Sequence, residues 1–240
     1  MVYYQTDVTT NGPLSLTLRG NNFPQELHLA LNKKPIYLIG NTCGTCSAIF
    51  ERIQNNELPL SSNQVGQKLE QGLNSIPQNI VETVNQLLPK GQYIIGLLET
   101  IASMERPRSR REHANFCRAD YFWLQHLGRQ DWTFKNEIIL PIYQEKLLDE
   151  ERISYYTQAI ENGARPTALA FSIFDIRVPM GGSYFEWTLA HFLLDGHHKV
   201  MAASRIKKPI SILSFLLLNG PFCSVNLEDE TIQKLYNRKV

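Results

Sequence analysis

The run from His191 through Asp195-Gly196-His197-His198-Lys199 to Ser204 gathers more chemistry than any other stretch of this chain. An apolar segment, His191-Phe192-Leu193-Leu194, reads as a strand that ends at a glycine turn. Helix-forming residues follow at once, from His197 to about Arg205. The first N–H groups of such a helix have no intrahelical acceptor, and the helix dipole adds positive potential at the same place. Together they form a site suited to phosphate or another anion. Gly196 lets the backbone come close to that anion. Lys199 adds a permanent charge, and His197 and His198 add donors near their titration range. Asp195 can hold a metal ion, a hydroxyl or a histidine. Ala202 and Ala203 allow the helix to lie close on a sheet. The ordinary alternative is a strand–turn–helix capped by Asp195, with both histidines exposed.

A second group involves the cysteines. Cys43 and Cys46 form Cys-x-x-Cys, with a short apolar run, Ile36 to Ile39, ahead of them. At a helix start such a pair suits redox chemistry, because the helix N-terminus lowers a thiol pKa. A structural zinc site needs two further ligands. His113 and Cys117, four residues apart and so on one face of a helix, can supply them. Buried, unliganded cysteines are the third possibility. Cys223 stands alone. The cluster Arg106, Arg108, Arg110 and Arg111 suits either a nucleotide tail or a solvated charged helix face.

The elements that would position these groups are clearest in the C-terminal half. Glu137 to Tyr143 reads as a strand and its exit. Asp149 opens a helix reaching about Glu161, with Ile153, Tyr156 and Ile160 on one face, and Asn162-Gly163 ends it in the left-handed manner. Thr167 to Ile176 and Trp187 to Leu194 read as a hairpin around Gly181-Gly182. The helix from His197 and a buried strand, Ile210 to Leu217, close the unit. The order is strand, helix, hairpin, helix, strand. Further upstream, strands are expected over Val2 to Arg19, Ile36 to Ile39 and Gln92 to Leu98. Helices are expected over Ser47 to Ile53, from Ser61 to about Asn74 and over Gln78 to Leu88, and another is compatible with His113 to Trp123.

That order, and the turn within it, resemble the ParB/sulfiredoxin superfamily. Its members carry a helix ending near glycine, a proline-led strand, a hairpin, and a strand entering a short glycine turn and helix. Tyr156 to Gly163, Pro166 to Asp175 and Ala190 to Ile206 occupy those places here. Partitioning ParB proteins have Gly-Glu-Arg-Arg at the turn, sulfiredoxin has Gly-Cys-His-Arg, and the free-serine kinases have Asp-Gly-His-His-Arg. Asp195 to Lys199 is most similar to the last. The resemblance spans roughly Asn136 to Asn219. Lysine in place of the final arginine keeps the charge but loses the bidentate fork. The sulfiredoxin cysteine is missing, which argues against sulfinic acid repair.

The resemblance implies a mixed-sheet α/β (α+β) domain over residues 136–240. A second α/β domain is expected over 1–105, with a helical connector over 106–135. It also implies binding of ATP, ADP or CTP with Mg²⁺, and phosphotransfer to a small hydroxyl compound. Asp195, His197 and His198 would stand at the reaction centre, and Gly196 to Lys199 would hold phosphate. Glu145 sits where kinase-like members place the base that takes the acceptor's proton. Phosphoryl transfer otherwise asks mainly for positioning and charge stabilisation. Two other functions fit the same residues, a non-catalytic nucleotide-sensing module and a ParB-like DNA-associated protein. Against the latter, no helix–turn–helix pattern follows the domain, and the chain's formal charge is +1.

Composition agrees with a folded chain. Of 240 residues, 43% are hydrophobic and 20% charged, which permits a sizeable core. Near-neutrality leaves no global field to draw in nucleic acid or anionic membrane. The N-terminus lacks the basic-then-apolar order of a signal peptide, and the most apolar run, Ile210 to Leu218, falls well short of the about 20 residues a bilayer requires. A soluble cytoplasmic protein is the expectation.

Overall fold

A computed structural model describes residues 3–19, 26–40, 49–54, 63–104, 122–130, 133–142, 147–177 and 185–219. The chain is a mixed α+β protein, with two sheets among the described residues. Seven strands form the larger one: β1 (Tyr3–Val8), β6 (Gly91–Ile101), β7 (Phe122–Gln130), β8 (Thr133–Pro141), β9 (Thr167–Arg177), β10 (Phe185–Asp195) and β11 (Pro209–Leu217). Their order across the sheet is β1-β6-β11-β9-β10-β8-β7. Four strands form an antiparallel second sheet: β2 (Leu14–Arg19), β3 (Glu26–Leu31), β4 (Lys34–Gly40) and β5 (Ile49–Arg52). The helices are α1 (Asn63–Gln71), α2 (Gln78–Asn85), α3 (Glu150–Glu161) and α4 (His197–Arg205).

The central strands are apolar on both faces because both faces are covered. Leu169, Phe171 and Ile173 of β9 and Phe192 of β10 point to a core shared with the smaller sheet, α1 and α2. Ala168 and Ala170 of β9 and Leu189 and Leu193 of β10 point to the other face, where α3 and α4 lie. Ile153, Tyr156 and Ile160 of α3 and Val200, Met201, Ala202 and Ala203 of α4 complete that second core. Ala202 and Ala203 are fully buried, as close packing on the sheet requires.

Local signals bound these two helices. Asp149 caps α3, its Oδ1 accepting from the Glu151 N–H at 2.9 Å. Gly163, at φ +92°, ends the helix, and Ala164 N–H reaches back to Ala159 O at 2.9 Å in the Schellman pattern. α4 ends the same way with Lys207 at φ 53° and Lys208 N–H donating to Ala203 O at 3.0 Å.

Several expectations are corrected. Ser47 to Ile53 was expected as a helix, yet Ile49–Arg52 is the edge strand β5, with Phe50 opposite Ile39 and buried near Phe192. The helix reaching Trp123 is also overturned from Phe122 on, since β7 pairs antiparallel with β8. Residues 105–121 lie outside the described residues. Pairing with β7 satisfies the backbone groups of β8 that face away from β10. Val2 to Arg19 is two strands in different sheets, β1 and β2. Nor do the intervals 1–105 and 136–240 separate into two sheets. β6 pairs with β11 from Ile101↔Pro209 to Tyr93↔Leu217, so both intervals build one sheet and its cores.

Candidate functional site

β8 and β10 are parallel neighbours, paired from Phe185↔Thr133 to Leu193↔Pro141. Their carboxyl ends therefore lie side by side, and a helix follows each. Crevices at the carboxyl ends of parallel strands are where α/β sheets bind ligands. The two helix starts differ. α3 is satisfied by acids, with Asp149 as cap and Glu150 and Glu151 in its first turn. α4 has no acid in its first turn and no side-chain cap. Its ladder begins with Val200 N–H donating to Gly196 O at 2.9 Å, so the amides of residues 197 to 199 precede it.

Gly196 makes this turn possible. Its φ of +91° is left-handed, and a Cβ there would stand 2.9 Å from both Cα and Cβ of Ala168. Asp195, the nearest carboxylate, does not cap α4. Its Oδ2 accepts from Lys199 Nζ at 3.2 Å. That ammonium also donates to Thr167 O at 3.2 Å and lies 5.9 Å from the centre of the Tyr156 ring. Lys199 is only 3% exposed, so its charge is spent inside the fold, against the expectation of a lysine turned to the ligand.

The histidines, read from the sequence as donors near their titration range, each turn Nε2 as an acceptor to a backbone N–H. His197 is 6% exposed, and its Nε2 accepts from the Ile142 N–H at 3.2 Å. Burial, reinforced by His198 and Arg52, lowers its pKa to about 3. His198 is half-buried, and its Nε2 accepts from the Asp149 N–H at 3.0 Å. Its pKa is lowered by burial and by Arg152, against the opposing pull of Asp149 and Asp195. Both rings are therefore predominantly neutral at pH 7.

The nearby cations are arginines that the sequence did not single out. Arg52, on β5, donates to Pro141 O at 3.1 Å, where Tyr37 of β4 also donates at 2.6 Å. These bonds fix the smaller sheet to the end of β8 and bring a guanidinium toward His197. Arg152, on α3, stands near His198 and 3.7 Å from Glu70. No local pattern marks either residue, because each reaches the turn from a different element.

Asp195, Gly196, His197, His198 and Lys199 are thus brought together. Glu145 lies outside the described residues, as do Cys43, Cys46, His113 and Cys117 and the arginine cluster at 106–111. Among the described residues, no group of three His, Cys, Asp or Glu is placed to hold a metal ion. Among them, too, no helix is long and apolar enough to cross a membrane.

A second polar group was missed. His191 Nδ1 is 2.7 Å from Ser172 Oγ, and its Nε2 is 3.0 Å from Glu137 Oε1. Ser172 Oγ is 2.9 Å from Ser214 Oγ. All four residues are fully buried on the α3/α4 face of the sheet, so the chain ties β8, β10, β9 and β11 together and offers no atom to a ligand. The available signal was a polar residue inside each apolar strand, which calls for a buried partner.

No family model, curated protein or solved structure matches this chain.

Proposed function

We propose that the chain binds the terminal phosphate of a nucleotide at the first turn of α4. The observation that carries this is the uncapped start of α4 beside an acid-capped α3, with Asp195 turned away to Lys199. A phosphate there would accept from the amides of the first turn, within the fields of Arg52 and Arg152. The resemblance to the ParB/sulfiredoxin superfamily points to the same turn.

Phosphotransfer to a small hydroxyl compound is the chemistry that the resemblance adds. The acceptor oxygen would attack the γ-phosphoryl group and pass its proton to Glu145, with the nucleoside diphosphate leaving. Mg²⁺ would be held mainly by the nucleotide, as is usual for this ion. Asp195 is the carboxylate at the turn, and Lys199 already neutralises it. That pairing favours a second outcome, binding without transfer, in which the module senses a nucleotide.

Titration calorimetry with ATP, ADP and CTP in Mg²⁺ tests the proposal, beside an Arg152→Glu variant. Arg152 is well exposed, so the fold should tolerate the change. Reversing its charge should weaken binding about tenfold, or roughly 1.4 kcal/mol. Absence of binding by all three nucleotides to folded protein would refute it. Turnover of an added hydroxyl acceptor would then separate transfer from sensing.

A further inference from the structure

His197 and His198 are consecutive residues at the start of α4, about 100° apart around the helix axis, so their rings must reach different elements. One reaches the end of β8 and the other the start of α3. The Ile142 N–H donates to His197 Nε2 at 3.2 Å, and the Asp149 N–H donates to His198 Nε2 at 3.0 Å. A backbone N–H can only donate, so each Nε2 must hold a lone pair and each proton must sit on Nδ1. We infer that His197 and His198 are positioning residues, neutral acceptors that fasten the end of β8 and the start of α3 to the first turn of α4.

This assigns the pair a different task from phosphate neutralisation. Ile142 is the first residue after β8 and Asp149 is the cap residue of α3, and one dipeptide anchors both. The charges around the rings agree with that task. Arg52 on β5 and the neighbouring His198 act electrostatically on His197, while Arg152 on α3, Asp149 at its cap and Asp195 at the end of β10 act on His198. With a guanidinium near each ring, a second positive charge there is disfavoured. The Asp149 bond also sets where α3 begins, because the same residue caps that helix. Arg152 is carried one turn further along α3 and is held near the phosphate position by the same fastening.

The fastening stands on hydrogen-bond geometry alone, and its importance for the ligand rests on the proposed phosphate site. Two substitutions separate an acceptor from a charge. His198→Gln keeps an oxygen able to accept near the Nε2 position, whereas His198→Lys supplies charge and can only donate. Long-range proton–nitrogen NMR on the ligand-free wild type at pH 7 should show both Nε2 atoms unprotonated and both Nδ1 atoms protonated. The Asp149 amide resonance should stay near its wild-type position in His198→Gln and move strongly in His198→Lys. ATP·Mg²⁺ affinity should be kept within about threefold in His198→Gln and fall about tenfold or more in His198→Lys. Protonated Nε2 atoms, or a lysine variant that binds as tightly as wild type, would overturn the inference. If the wild type binds no nucleotide while the ring protons sit on Nδ1 and the Asp149 amide responds as stated, the fastening stands and the phosphate proposal falls.

Discussion

Replacing Gly196 by alanine should damage this protein for two separable reasons. The backbone at φ +91° is left-handed, and a Cβ in that region costs about 1–2 kcal/mol. The added methyl would also stand 2.9 Å from Cα and Cβ of Ala168, inside normal contact. Ala168 is fully buried in β9, so relief requires a strand or α4 to shift, at about 1–3 kcal/mol. The sum is about 2–5 kcal/mol, a large part of the roughly 5–15 kcal/mol that holds a typical domain folded. Gly163 supplies the control. Its φ is +92°, yet nothing lies within 4 Å of its Cβ position, so Gly163→Ala should cost only the backbone part, about 1–2 kcal/mol. Urea unfolding followed by circular dichroism measures both. The Gly196→Ala midpoint should drop by about 1 M or more, well beyond that of Gly163→Ala. Adding Ala168→Gly should restore some of the loss by removing one of the two contacts. Equal effects of the two glycine substitutions would refute the close approach of the α4 turn to β9.

The other predictions concern buried polar groups. His191→Leu removes the imidazole between Glu137 and Ser172 and should cost about 3–5 kcal/mol, with Glu137→Leu in addition recovering most of it. A single-variant cost below about 1 kcal/mol in urea unfolding would contradict the buried chain. His197 titrates at about 3 when folded and near its ordinary 6.5 when unfolded. Between these values the unfolded chain holds the extra proton, so stability is full above the unfolded value and is lost as pH falls toward the folded one. Each pH unit inside that window should remove up to about 1.4 kcal/mol, and His197→Gln should flatten the slope by that amount between pH 6 and 4. An unchanged slope in the variant would show that His197 is not a buried neutral ring.

Legibility in the sequence followed locality. α3, α4 and the strands β9 to β11 were readable because their signals lie within a few residues: Asp149 as cap, Gly163 and Gly196 with positive φ, and apolar runs between. Element order and the α4 boundaries followed directly. β5 and β7 were not readable, because Ile49 to Arg52 and Phe122 to Gln130 owe their form to ladders with β4 and β8. The joining of β6 to β11 depends on pairing across more than a hundred residues, for which one sequence carries no signal. The turn at Asp195 to Lys199 was legible as a site, but the roles inside it were not. Thr167 and Tyr156 decide that Lys199 faces inward, and Ile142 and Asp149 decide that the histidines accept. Arg52 escaped notice because it reaches the turn from the other sheet.

Proton–nitrogen correlation NMR during titration with ATP·Mg²⁺ decides whether α4 begins at a phosphate site. Saturable shifts should be largest at the amides of His197, His198 and Lys199, with smaller ones at Arg152. Saturable shifts centred elsewhere in the fold, or none at millimolar ATP, would contradict that site.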